Sequence, residues 1–150
     1  MLITPEWPKC TIKWIKEVKW KKLFLYSLIY LAFASIVHKI ETVLTMKYYL
    51  MPQYFGAWNQ SMIPIKSFTF TFTIGLSIGL IYYYIRNFLP KQFWHRVTFF
   101  ADLMIGASFI FFTLPAYIIF NIPFQLLLSW FISSFIILFL ASLALVKIIK

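Results

Sequence analysis

Four ionisable side chains stand inside long apolar stretches: His38, Lys39 and Glu41 in IVHKIETV (36–43), and Asp102 in FFADLMIG (99–106). Charge in an apolar layer is costly, so such residues are the first candidates for binding an ion or a proton. Ser27, Leu31, Ala34, His38, Glu41 and Thr45 follow one another at steps of four, three, four, three and four. That spacing lays them on one helical face and makes His38 and Glu41 neighbours. An imidazole exchanges protons near neutral pH, and a carboxylate beside it can hold a cation. Depth argues for a plainer role. If the helix starts at Leu23, Lys39 lies ~24 Å along it, near the far edge of a ~30 Å hydrocarbon core. The leading expectation is a hydrogen-bonded His38–Glu41 pair where the helix leaves the apolar layer, with proton or cation binding as the alternative.

Asp102 sits ~7–8 Å inside the third apolar stretch. Arg86 or Arg96, both earlier in the chain, could reach it, and His95 lies seven residues earlier on the same helical face. A structural ion pair joining the inner ends of the second and third stretches is expected, with a proton relay as the alternative. The two carboxylates fall ~15 Å apart across the layer, so they cannot act as a pair within one chain. His38 and Glu41 offer two metal ligands where a site needs three or four. His38 and Asp102 are too far apart for a Ser-His-Asp set, which requires hydrogen-bond contact. No catalytic residue, metal site or cofactor is therefore assigned, and an intramembrane enzyme is the least favoured class.

The elements that must carry these residues follow from composition. The chain has 150 residues, 62% hydrophobic and 12% charged. Soluble domains carry about 25% charged residues, so this chain cannot clothe itself for water. Its apolar residues form continuous blocks at about 23–44, 67–89, 97–120 and 124–147. Each reaches the roughly 20 residues a spanning helix needs, and a transmembrane barrel would need short alternating segments instead. The expected fold is all-α: a polytopic membrane protein with four transmembrane helices in an antiparallel bundle, preceded by a basic amphipathic interfacial helix over 1–22. Cys10 is the lone cysteine, so no intrachain disulfide forms.

The net charge of +10 would suggest nucleic acid in a soluble protein. Here the cations cluster at block ends, which points to anionic lipid headgroups and away from nucleic acid. Lys9, Lys13, Lys16, Lys19, Lys21, Lys22, Arg86, Lys91, Arg96, Lys147 and Lys150 fall on one side, against Lys47 and Lys66 on the other, with Lys39 assigned to neither. The excess places both termini in the cytoplasm, in a multi-pass protein of the cell membrane. Lys13, Trp14, Lys16, Lys19, Trp20, Lys21 and Lys22 are the expected headgroup contacts, since indole and ammonium both suit that boundary. LFLYSLIYLAFA (23–34) mimics a signal peptide, but its basic leader is too long, and it is expected to stay as the first span.

Thr71, Gly75 and Gly79 form a small-residue stripe that lets helices approach closely, within the chain before between copies. Ser129 and Ser133 make a shorter one. The outer loop 45–66 is rich in Tyr, Phe and Trp and interrupted by Pro52, Gly56 and Pro64, so it should lie on the membrane surface or fold over the bundle. Pro115 removes the donor for the carbonyl of Phe111 and predicts a kink. In helix number, and in the carboxylate Glu41 of its first helix, the chain resembles the small multidrug-resistance transporters. That resemblance implies a homodimer exporting substrate in exchange for protons at Glu41. The residues themselves favour a non-catalytic role, as an accessory or assembly subunit or a lipid-contacting scaffold, with a membrane-protein partner or a second copy.

Overall fold

The computed structural model describes residues 18–49, 63–120 and 122–149. Lys13, Trp14, Lys16 and most of the outer loop lie outside the described residues. Those described form helices and no strand. They are α1 (Trp20–Tyr49), α2 (Ile63–Ile85), α3 (Phe93–Ser108), a π-helical turn (Phe109–Thr113), α4 (Leu114–Phe120) and α5 (Phe124–Ile148). Four stretches are long and apolar enough to cross a membrane: Trp20–Lys47, Phe68–Ile85, Phe93–Ile119 and Phe124–Ile148.

Local chemistry explains where the boundaries depart from expectation. α1 starts at Trp20, so Trp20, Lys21 and Lys22 are its first turn and not a separate segment. Its 30 residues make a rod of ~45 Å, longer than a ~30 Å core. Pro64 falls in the first turn of α2, where a missing N–H breaks no helical bond. α2 ends at Ile85 and the chain turns through Arg86–Phe88, while Pro90 keeps Leu89 out of the helical region. α3 begins at Phe93, four residues before the expected start at Val97. Before Pro115 the helix widens instead of simply losing a bond: the N–H of Leu114 reaches back five residues to the carbonyl of Phe109.

Packing is uneven along the helices. α1 contacts both α2 and α5, and α5 also contacts α3. One apolar cluster gathers at the end bearing Leu23, Tyr26, Tyr82, Val97, Phe100 and Leu145. Tyr82 and Phe100 meet edge to face at 5.2 Å there. At the opposite end, Ala116, Ile122 and Leu126 form a smaller cluster with Trp130. Gly75 and Gly79 lie directly under α1. A Cβ on Gly75 would stand 2.9 Å from Tyr30, and one on Gly79 would collide with Leu23. Thr71, a turn earlier, is half-buried.

Candidate functional site

α1 and α5 each present a polar row at four-residue spacing. Glu41 and Thr45 on α1 face Gln125, Ser129 and Ser133 on α5 across a pocket of about 500 Å³. Its remaining walls are aliphatic: Val37, Ile40 and Leu44 from α1, and Leu128, Ile132 and Ile136 from α5. Glu41 is 5% exposed. The Thr45 hydroxyl lies 2.7 Å from the Glu41 carbonyl and 3.2 Å from Oε1, and donates to one or the other. The Ser129 hydroxyl reaches the same Oε1 at 3.5 Å, the outer limit of a hydrogen bond. His38 Nδ1 stands 3.6 Å from Oε2, and the ring is more than half exposed.

The stripe on α1 therefore divides. Ser27, Ala34, Glu41 and Thr45 are buried, whereas His38 sits at its edge and faces outward. The expected His38–Glu41 hydrogen bond is a looser contact of 3.6 Å, and Thr45 lies nearer to the carboxylate than His38 does. Two substitutions separate these contacts. Thr45→Val should cost about 1–3 kcal/mol, because it removes a buried hydroxyl that lies within reach of both the Glu41 carbonyl and its carboxylate. His38→Ala should cost under about 1 kcal/mol, since an exposed pair is screened. Thermal unfolding in detergent reads both, and a larger loss for His38→Ala would refute the assignment.

Asp102 is not brought to the arginines. Its side chain is exposed, and among the described residues it makes no hydrogen bond or ion pair. Arg96 instead donates from Nε to the carbonyl of Pro90 at 2.8 Å. Arg86 lies over the Tyr83 ring, 4.9 Å from its centroid. His95 Nδ1 meets Gln92 Oε1 at 2.5 Å. The expected ion pair fails because Val97, Phe100 and Ala101 take the buried face of α3 and turn Asp102 away from the core. Exposed Phe99 and half-buried Gly106 share its outward side, and a Cβ on Gly106 would have nothing within 4 Å.

At the end bearing Leu23 and Tyr82, Lys19, Trp20 and Lys21 are exposed and Lys22 is half-buried. The Lys19 backbone N–H donates to the Tyr83 hydroxyl at 3.2 Å, fixing the start of α1 on the end of α2. Among the described residues no three His, Cys, Asp or Glu side chains gather as a metal site would require. No protein-family model matches the chain, and no curated protein or solved structure does either. Of the two carboxylates among the described residues, Glu41 is turned inward and Asp102 outward.

Proposed function

We propose that this protein is a non-catalytic multi-pass subunit of a cell-membrane complex, an accessory or assembly component that docks a partner helix on the outward face of α3. The observation that carries the reading is Asp102. It is an exposed carboxylate in an apolar stretch, with no partner among the described residues of its own chain. Leaving it against lipid is unfavourable, whereas a neighbouring helix bearing lysine, arginine or another strong donor would satisfy it. Open space over Gly106, one turn on, lets that helix come close.

In this reading the four spans form an antiparallel bundle with both termini in the cytoplasm. The excess of Lys and Arg at that end supports the orientation. Lys19, Trp20, Lys21 and Lys22 then lie at the inner headgroup layer, each lysine contributing about 1 kcal/mol towards anionic lipid.

The test is native mass spectrometry of the protein extracted from its own host in nanodiscs. Wild type should carry a second polypeptide at fixed ratio. Asp102→Asn and Gly106→Leu should lose it, while Phe70→Ala, exposed on α2, should keep it. A bare wild-type chain, or a partner retained by both α3 variants, would overturn the reading.

A second reading, a small homodimeric transporter exchanging protons at Glu41, is favoured by the pocket beside that buried carboxylate. Substrate-induced proton release by wild type but not by Glu41→Gln would select it.

A further inference from the structure

We infer that the end of the bundle bearing Tyr82 and Tyr83 binds one phosphomonoester headgroup of a membrane lipid, held between Arg86 and Arg96. The site deepens the headgroup contact described above and rests on that end meeting a headgroup layer. Partner docking at Asp102 is not needed for it.

The two cations come from where α2 hands over to α3. Arg86 follows the last residue of α2, and its guanidinium lies over the Tyr83 ring, 4.9 Å from the centroid. Arg96 stands in the first turn of α3 and reaches back through Nε to the Pro90 carbonyl at 2.8 Å. Both side chains are half-buried, so each is held in place before a ligand arrives. Stacking occupies the face of the first guanidinium and leaves its N–H edge. The second keeps both terminal amino groups.

A buried hydroxyl specifies what complements this pair. Tyr82 is fully buried, and among the described residues its hydroxyl has no hydrogen-bond partner. Arg96 and, less closely, Arg86 are its charged neighbours. A guanidinium only donates, so even a closer approach of Arg96 leaves the hydroxyl hydrogen unmatched. Three donor groups thus stand together, and that hydrogen needs an acceptor from outside them. A phosphomonoester supplies three terminal oxygens, and its charge of up to two suits two guanidiniums.

The level of the site selects a lipid as the source. Trp20 and Trp94 are exposed at this end, as are Lys19 and Lys21, and indole and ammonium groups suit the headgroup layer. The Lys19 N–H donates to the Tyr83 hydroxyl, which ties the start of α1 to the ring that carries Arg86. Exposed Phe88 and Phe93 offer acyl chains an apolar approach. Basic pockets between the inner ends of spanning helices hold phosphorylated headgroups in this way.

The experiment is native mass spectrometry of the full chain in detergent, titrated with dioleoyl phosphatidic acid or dioleoyl phosphatidylglycerol. Wild type should bind one phosphatidic acid at least about tenfold more tightly than phosphatidylglycerol, a difference of about 1.4 kcal/mol. Arg86→Gln and Arg96→Gln should each remove that preference. Tyr82→Phe should reduce it about threefold, the worth of one hydrogen bond, yet melt no lower than wild type. It carries the test if the arginine variants do not fold. Lys39→Gln, which removes one positive charge far along α1, should bind both lipids as wild type does. Lys19→Gln with Lys21→Gln should weaken both lipids alike and keep the preference. If that pair weakened neither lipid, the wider headgroup contact would fail, while a preference lost in Tyr82→Phe would still mark this site. Equal wild-type affinity for the two lipids, or a preference kept in Arg96→Gln or Tyr82→Phe, would overturn the proposal. So would full displacement of phosphatidic acid by an equal concentration of glycerol phosphate.

Discussion

Gly79→Leu should lower the melting temperature in detergent further than any exposed substitution on the same helix. Even the first carbon of the new side chain collides with Leu23, and the Tyr26 ring lies 3.3 Å from that carbon. Leu23 and Tyr26 are both fully buried, so neither has free space to retreat into. Overpacking of this kind costs about 1–3 kcal/mol, and a branched side chain whose first carbon already meets two fully buried side chains belongs at the upper end. At about 2–4 °C per kcal/mol for a chain of this size, the loss should be about 6–12 °C. Leu23→Ala in the same chain should recover part of it, because the two positions share one contact. Gly106→Leu, placed in open space, should melt close to wild type. Equal melting of Gly79→Leu and Gly106→Leu would refute the close approach of α1 and α2.

Asp102→Leu should act in two directions at once. For the isolated chain it replaces an exposed carboxylate by an apolar group. Aspartate at the centre of a spanning helix costs about 2.5–3.5 kcal/mol by insertion scales. Asp102 lies ~9 Å along the helix from Arg96, short of the centre, so about 1–2 kcal/mol of stabilisation is expected. For the complex the same change removes the group that a basic partner helix would recognise, and co-purification should fail. A variant that is more stable alone yet no longer assembles would mark an interface residue. Destabilisation of the isolated chain would show that Asp102 supports the fold itself, and would count against the docking face.

Much of the architecture was legible because length and apolarity are strong signals. The four apolar blocks appear as helices of spanning length, with ends moved by a few residues where aromatic residues or prolines intervene. Half of the groove was legible too: Glu41 and Thr45 share a stripe with Ser27 and Ala34, and all four are buried. The other half was not. Ser129 and Ser133 read as a packing surface, and only knowing that α5 lies against α1 turns Ser129 towards the carboxylate. Gln125, four residues earlier, extends the same row and was the available clue.

Asp102 failed for a different reason. The inward residues of α3, Val97, Phe100 and Ala101, point almost opposite to it at ~100° per residue. That direction was hidden because exposed Phe99 and Leu103 are as apolar as the core residues beside them. A helix apolar all round gives no sequence contrast between its two sides. Proximity in sequence then made the arginines seem natural partners, although each is engaged elsewhere.

The widened turn at Phe109–Thr113 carries a consequence beyond accommodating Pro115. At ~100° per residue, an unbroken α-helix would turn Ala116 roughly 100° away from the inward line of Val97, Phe100 and Ala101. One surplus residue in the winding cancels that drift. Ala116 returns to the same line and is buried beside Ile122 and Leu126. The third span is thus two helical segments brought back into phase by a single inserted step, which returns Ala116 to the side that Val97, Phe100 and Ala101 bury.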